Sequence, residues 1–459
     1  MLLAWCRKLI LRFVSIAYPL LVFHDNPCSM MGLTPLRLQF PGKVFQVYSR
    51  AGPQVFIPPN LMEEVKALPD SVLSISEGVR EFFQTEHTHF PDPGHQEWTL
   101  WIKQSLGKNI AKYATIVLES LPSCWQEIEF HPRMCMLVAN LTARVFIGPL
   151  FPVEWMFTSI KYTGDLFKAI HYIKNFRAQV RFLFKYVIPS TWTQWKHIKT
   201  AARVVEYALS RPAAGDAVHA VNKMLPEDKK KDYVFQGRAQ LGLAVASLHT
   251  TVRVICQVMF DLAEHPEYVT AIRAEIKGVL KFEDKKTWTV ENLALLKKLD
   301  SVMKESMRLH GGGVKADKPA SFRRKVLQPI TLSDGTFLPP GTFVYAPTHA
   351  ISHDASIFPD PLRFDGLRFY NLRKRSPADA NRHQFTTIDN TVTYFGAGRH
   401  ACPGRYFANV LAKMIVVELV GKYDFGLVER DTLPRDVPFE DGLVSVNTRK
   451  RMMVRKRVG

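Results

Sequence analysis

The residues around Cys402 have the types and spacing that stabilise a thiolate. Cys402 lies in the segment 395–404, FGAGRHACPG, which leads into a predicted helix. Gly396 and Gly398 permit a tight turn and let the backbone approach a flat partner closely. Pro403 suits the first turn of a helix, because the N–H that proline lacks has no partner within the helix there. A cysteine at a helix amino terminus meets unpaired N–H groups and the positive end of the helix dipole, and both favour the thiolate.

The same loop matches a known haem-binding pattern. A thiolate at Cys402 needs a counter-charge, which a ferric haem supplies. The alternative is that Cys402 is a structural thiol at the start of a helix. The pattern FGxGxxxCxG resembles the haem-binding signature of cytochromes P450 and is carried by Phe395, Gly396, Gly398, Cys402 and Gly404. The resemblance implies that Cys402 is the axial iron ligand of haem b and that His400 meets a haem propionate. By its chemistry alone, His400 beside Arg399 equally suits a surface pair.

A second motif, E-x-x-R, is formed by Glu305 and Arg308. Residues three apart share one helix face and can pair. The motif gains weight from its place, roughly a hundred residues before Cys402, as in cytochromes P450. In the family's next element, which resembles residues 361–369 here, Arg368 would complete a buried cluster with these two. Because breaking a buried charge network strands the remaining partner, we expect the three residues to support the cysteine loop and not to react.

A long apolar helix is predicted over residues 241–262. Within it, the sequence ASLHTT occupies the place of the family's oxygen-activating motif, Ala/Gly-Gly-x-acid-Thr. Thr250 keeps the threonine, whereas Ser247 stands for the glycine and His249 for the acid. A threonine hydroxyl relays protons through water and a histidine shuttles protons, so we predict Thr250 and His249 as catalytic. The alternative is a core histidine beside a threonine that bonds to its own helix.

Other elements of the family are matched less closely. Arg324, which follows Arg323, best matches the propionate-binding arginine of the family, although either arginine also suits an exposed position. The WxxxR element is not intact, because the fourth residue after Trp98 is not arginine, and Lys103 is only a weak substitute. The stretch Gly311–Lys318 is longer than the resemblance implies. It either reshapes the pocket or reflects an imperfect gene model.

The elements that must position these groups are predicted to be mostly helical. Helical periodicity continues almost unbroken from Glu97 to Leu309, whereas strand-like runs occur near residues 44–57, 320–332 and 336–345. We therefore predict a mainly α protein with a small β subdomain, which the resemblance identifies as the cytochrome P450 fold. Chemical signals lie in both halves, so residues 24–459 are predicted to form one haem-thiolate catalytic domain.

Residues 1–23 are predicted to form a membrane anchor. The segment is apolar but interrupted by basic residues and a proline, and its cleanest stretch, from Phe13 to Phe23, is shorter than the roughly 20 residues that span a bilayer. No small-residue cleavage site follows it. An interfacial helix and an amphipathic helix packed on the domain are the alternatives. The resemblance implies an endoplasmic reticulum membrane protein with a cytoplasmic catalytic domain.

Composition argues against a disulfide-stabilised protein and against a nucleic-acid-binding protein. The 459 residues carry a net charge of +19, and the six cysteines contain no CxxC pair, so a disulfide framework is not indicated. A basic balance suits an acidic partner, an anionic membrane or nucleic acid, but no zinc-finger spacing or basic RNA-binding motif supports nucleic acid.

The resemblance implies a haem-thiolate monooxygenase acting on a small apolar substrate with dioxygen. Electrons would come from NADPH through a separate cytochrome P450 reductase, since no flavin or nicotinamide domain is evident. The segments HQFTT at 383–387 and HACPGR at 400–405 look like those of fungal secondary-metabolite P450s, including the ent-kaurene oxidase-like branch, which implies a terpenoid or related substrate. The alternatives are a haem-thiolate isomerase or dehydratase, and a non-catalytic haem-binding descendant.

Overall fold

A computed structural model of the protein describes most of the chain. The described ranges are residues 21–22, 42–49, 52–92, 96–102, 124–176, 180–184, 188–213, 215–281, 284, 288–310, 322–429, 432–438 and 444–457. The predicted amino-terminal segment 1–23 lies outside them except for Leu21–Val22, which form a strand. Lys103 and the stretch Gly311–Lys318 also lie outside the described residues.

The described residues confirm the prediction of a mainly α protein with a small β part. The helices are α1 (Met62–Ala67), α2 (Ile75–Phe83), α3 (Thr85–Thr88), α4 (Gln96–Trp101), α5 (Phe130–Phe146), α6 (Val153–Lys174), α7 (Arg181–Phe184), α8 (Pro189–Leu209), α9 (Ala217–Met224), α10 (Glu227–Lys230), α11 (Tyr233–Glu264), α12 (Pro266–Val279), α13 (Val290–Ala294), α14 (Lys297–His310), α15 (Thr348–Ser352), α16 (Arg368–Leu372) and α17 (Arg405–Lys422). Short 3-10 turns occur at Pro59–Leu61, Pro377–Asp379 and Gly398–His400.

Strands form one larger sheet and three small ones in the described part of the chain. They are β1 (Leu21–Val22), β2 (Phe45–Ser49), β3 (Gly52–Phe56), β4 (Leu73–Ser74), β5 (Gln126–Glu129), β6 (Arg323–Val326), β7 (Ile330–Thr331), β8 (Phe337–Leu338), β9 (Phe343–Tyr345), β10 (Tyr423–Leu427), β11 (Asp436–Pro438), β12 (Val444–Val446) and β13 (Arg451–Lys456). The larger sheet has the order β1-β2-β3-β9-β6-β4, and the small ones are β10-β13-β5, β11-β12 and β7-β8. Strand β3 is parallel to β9, and β9 is antiparallel to β6, which places Arg324 opposite Val344.

Helix α11 lies at the centre of the helical part. It has 32 residues and begins after Asp232, whose carboxylate accepts a 2.9 Å hydrogen bond from the backbone N–H of Phe235. It packs against α5, α8, α14 and α17, so apolar residues are buried on several sides of it. By length and mean hydropathy α11 would suit a membrane span, but 67% of its most apolar window is buried inside the protein. It is therefore a core helix.

A second hydrophobic cluster lies against the larger sheet and reaches the cysteine loop. It includes Val55 of β3, Val344 of β9, Phe322 and Ala397. Ala397, which is 1% exposed, belongs to the loop that precedes Cys402. The packing of the sheet therefore fixes one side of that loop.

Candidate functional site

The cysteine loop is closed by its own backbone. The N–H of Cys402 donates to the carbonyl of Phe395 over 2.7 Å, so the two ends of the signature meet. Gly396 and Gly398 have φ values of +77° and +65°, a region that residues with a side chain rarely adopt. A Cβ added at Gly398 would lie 3.1 Å from the Cβ of Lys66. Both glycines are therefore required by the geometry.

The sulfur of Cys402 sits directly before α17, where backbone N–H groups point at it. Burial raises the pKa of the Cys402 thiol, while hydrogen bonds from the N–H groups of Gly404 and Arg405 oppose that rise. A side chain of Arg405 also donates to the carbonyl of Cys402 over 3.0 Å. These donors suit a thiolate whose charge is balanced by a metal, since such bonds tune electron donation from sulfur.

The predicted charge cluster is assembled as expected. Arg308 donates to both carboxylate oxygens of Glu305 over 2.8 Å, and Arg368 donates to the same oxygens over 3.1 and 3.2 Å. Glu305 is 0% and Arg308 1% exposed. Arg308 also donates to the carbonyls of Ser352 and Pro361. The cluster thus joins α14 to the chain segment that precedes the cysteine loop.

Two further ion pairs near this cluster were not predicted from the sequence. Lys413 of α17 lies 2.6 Å from the carboxylate of Asp300 on α14, and both are nearly fully buried. Lys304, with a fully buried side chain, lies 3.4 Å from Asp389, which accepts from the N–H of Val392. These pairs connect α14 to the helix after Cys402 and to the segment before it. The signal in the sequence was a lysine, at position 413, within the apolar run of residues 410–417.

Arg324 is buried, and no acidic residue within the described ranges forms an ion pair with it. It is 4% exposed, donates to the carbonyl of Arg323 over 2.8 Å and lies 4.4 Å from the ring centroid of Phe322. Burial lowers the pKa of Arg324 to about 10, an effect that the charge of Asp70 opposes. No carboxylate in the described ranges lies within ion-pair distance of its guanidinium. Such a group fits a haem propionate, because a buried cation is stable only when an anion accompanies it.

His400 already has a partner. Its Nε2 lies 2.6 Å from the carboxylate of Asp70, and the Nε of Arg399 lies 3.2 Å from the same ring nitrogen. Burial lowers the pKa of His400, while Asp70 opposes this and the nearby charge of Arg324 adds to it. His400 thus lies beside Arg399, as its chemistry suggested, and also pairs with Asp70. Its imidazole is close enough to Arg324 for the charge of that arginine to lower its pKa.

Thr250 faces open space in the middle of α11. Its hydroxyl donates to the carbonyl of Ala246 over 2.7 Å, and both residues are exposed although their neighbours in the helix are largely buried. Ser247 likewise donates to the carbonyl of Leu243. Both hydroxyls thus bond back to their own helix, and that of Thr250 is accessible to solvent.

The side chain of His249 does not lie on the same face of α11 as the side chain of Thr250. Consecutive residues of a helix point about 100° apart, and the imidazole of His249 instead lies near His131 and Cys135 of α5. Burial lowers the pKa of His249, and a hydrogen bond to the backbone carbonyl of Ile160 opposes this. Its Nε2 is buried with no hydrogen-bond partner in the described structure. The structure does not bring the two predicted catalytic side chains together.

Comparison with known proteins agrees with this geometry. The cytochrome P450 family model matches residues 238–454. The chain is 31% identical to the cytochrome P450 monooxygenase ORF5 of Penicillium roqueforti, over 84% of this chain and 75% of that protein. It is 29% identical to the ent-kaurene oxidase of Gibberella intermedia, over 91% and 82%. The solved haem domain of cytochrome P450DA has the same fold, with a TM-score of 0.68 at 14% identity over 95% of this chain and 94% of that one. The chain belongs to the cytochrome P450 family and is a haem-thiolate monooxygenase.

Proposed function

We propose that this monooxygenase oxidises a terpenoid or related apolar molecule at a haem b whose axial ligand is the Cys402 thiolate. The observation that carries the ligand assignment is the cysteine loop, where a buried sulfur meets the N–H groups of Gly404 and Arg405. The likeness to a protein named ent-kaurene oxidase supports the substrate class. A pocket for such a substrate needs mostly apolar walls and few polar groups.

Side chains of the protein hold the cofactor and balance its charges. Bound haem supplies the reductive activation of dioxygen and the insertion of one oxygen atom into a C–H bond. The N–H groups at the start of α17 stabilise the negative charge of the Cys402 sulfur. Arg324 binds a haem propionate, and His400, held by Asp70, lies in the same charged group. The Glu305–Arg308–Arg368 cluster keeps the chain before the loop in place.

Thr250 is the residue that we assign to proton movement. Its Oγ1 donates to the carbonyl of Ala246, so the oxygen's lone pairs are directed toward the open side of α11 and can accept a proton from water. The hydroxyl can then pass on its own proton when it releases the carbonyl. His249 was predicted to share this role, but its side chain lies against α5 and has a different set of neighbours.

Electrons are proposed to come from NADPH through a separate cytochrome P450 reductase at the endoplasmic reticulum membrane. We infer that residues 1–23 anchor the catalytic domain, residues 24–459, to its cytoplasmic face. The net charge of +19 favours an anionic membrane surface and an acidic partner. Removing residues 1–23 is expected to release the protein from membranes in alkaline carbonate; equal retention of both forms would contradict the anchor.

The ligand assignment is tested by reduction with dithionite in the presence of carbon monoxide. The parent protein is expected to show a thiolate-type Soret band, and Cys402→Ala is expected to lack it. Cys256→Ala, which removes another buried thiol, serves as the matched control and should keep the band. Haem uptake without the thiolate band in the folded parent would overturn the assignment.

The substrate class is tested by adding terpenoid hydrocarbons, fatty acids and aromatic polyketides separately to the haem-loaded protein. A terpenoid is expected to shift the Soret band and to give an oxygenated product by mass spectrometry. Turnover must require NADPH and reductase; turnover without them would indicate an isomerase or dehydratase. Selective binding of a non-terpenoid panel member would refute the proposed class.

A further inference from the structure

A second group of metal-ligating side chains lies away from Cys402, between α5 and α11. His131 and Cys135 are four residues apart and therefore share one face of α5. His249 of α11 completes the group, and the ligand atoms of the three lie within 4.8 Å of one another. The Sγ of Cys135 is 3.7 Å from Nδ1 and 3.8 Å from Nε2 of His131. In the described part of the chain this is the one such cluster of three.

The hydrogen bonding of His249 leaves a buried lone pair on its Nε2. One ring nitrogen bonds to the backbone carbonyl of Ile160, and Nε2 is buried without a partner among the described residues, so the nitrogen that donates is Nδ1. A metal-binding histidine commonly has this arrangement, in which the N–H that does not face the metal donates to a carbonyl. The alternative to a metal is a hydrogen bond from the thiol of Cys135 to His131. That bond would leave the Nε2 of His249 buried without a hydrogen-bond partner.

The three side chains are partly or fully buried. Cys135 is 5% exposed, and His131 and His249 are half-buried. A divalent cation that bound here would displace the proton of the Cys135 thiol.

The distances between Cys135 and His131 suit two ligands of a tetrahedral zinc ion. With Zn–S near 2.3 Å and Zn–N near 2.0 Å, sulfur and nitrogen ligands lie about 3.6 Å apart, close to the 3.7 and 3.8 Å between Cys135 and His131. We propose that His131, Cys135 and His249 form a Zn²⁺ site, with water in the fourth position. A bound ion would link α5 to α11 at the residue that directly precedes Thr250.

Zinc binding is tested on the haem-loaded full chain. The protein is incubated with Zn²⁺, desalted, and its zinc content compared with its haem iron. One tightly bound zinc per haem is expected, and X-ray absorption at the zinc edge should show one sulfur at about 2.3 Å and two imidazole nitrogens at about 2.0 Å. Zinc bound through nitrogen and oxygen alone, or no retained zinc, would overturn the proposal without the need for any variant.

Variants locate the ion. Cys135→Ala and His131→Gln should each weaken zinc binding in a chelator competition by more than the roughly 10- to 100-fold that loss of an outer partner costs. Cys124→Ala removes an exposed thiol that lies outside the cluster and should leave the affinity unchanged. Zinc should also raise the unfolding temperature of the parent and of Cys124→Ala, but not that of Cys135→Ala. Equal affinity in the parent and both ligand variants would refute the site.

Discussion

Arg308 and Arg324 are both buried guanidinium groups, yet their partners differ. Arg308 is 1% exposed, donates twice to Glu305 and also reaches two backbone carbonyls. Arg324 is 4% exposed, donates to one neighbouring carbonyl and stacks on Phe322. A buried charge needs compensation. Glu305 compensates Arg308, whereas no described carboxylate forms an ion pair with Arg324. The first arginine therefore stabilises the fold, and the second is the one that we propose to bind a haem propionate.

The largest loss of stability is expected when the Glu305 carboxylate, which compensates Arg308 inside the protein, loses its charge. Glu305→Gln removes the charge that two arginines share, so about 3–5 kcal/mol of unfolding free energy should be lost, enough to prevent accumulation of haem-loaded protein. Urea unfolding and haem content measure this. Glu227→Gln, which breaks an exposed pair with Lys230 at the same three-residue spacing, is the matched control and should behave like the parent. A similarly small change in both variants would contradict the structural role.

Removal of Arg324 should instead affect haem retention. Arg324→Leu loses a charge-assisted contact worth about 1.5–3 kcal/mol, so transfer of haem to an acceptor protein should become roughly 10- to 100-fold more favourable. The stability of the haem-free protein should not decrease, because an unpaired buried charge disappears.

The neighbour Arg323 provides the control for this prediction. Its guanidinium lies over the rings of Phe82, Phe343 and Tyr345, so Arg323→Leu should change packing and leave haem affinity nearly unchanged. Equal haem loss in both variants would contradict the choice of Arg324, rather than Arg323, as the residue that binds a propionate.

Arg308 has an anionic partner within the protein, and Arg324 is proposed to have one in a ligand. A buried histidine differs from both because it can lose its proton and become neutral. The pKa of His131 is lowered from 6.5 to about 4 by burial, so between these values the unfolded chain binds a proton that the folded chain does not. Stability must then fall as the pH decreases through this window, by about 2 kcal/mol between pH 7 and pH 5. Urea unfolding in the presence of a chelator measures the slope. His131→Gln should remove this contribution; an unchanged slope would show that His131 is not its source.

Features fixed by the local chain were predictable from the sequence. The Cys402 loop depends on glycines with positive φ and on a bond between its own two ends, so its pattern is visible in consecutive residues. The pairing of Glu305 with Arg308 follows from their helical spacing. The resemblance to the P450 family then added Arg368, a partner more than sixty residues away that no local pattern would reveal.

Features that depend on packing between distant elements were not predictable in this way. The sequence placed His249 next to Thr250 but did not show that the imidazole lies against α5, since its direction depends on how two helices pack. The pairing of Asp300 with Lys413 joins residues on different helices. The position of Thr250 within a motif was therefore enough to select it as a candidate, whereas the neighbours of His249 could be found only from the structure.

The smallest effect on stability is expected at Thr250, which is exposed and, among the described residues, forms a hydrogen bond only within its own helix. Thr250→Ala should change the unfolding free energy by less than about 0.5 kcal/mol and leave the carbon monoxide spectrum intact. The variant lacks the hydroxyl that we propose to move protons, so we expect product formed per NADPH to fall several-fold while hydrogen peroxide rises. Thr250→Ser keeps the hydroxyl and should restore most of the yield. If Thr250→Ala matched the parent in product per NADPH, the proton route would have to lie elsewhere on the open side of α11.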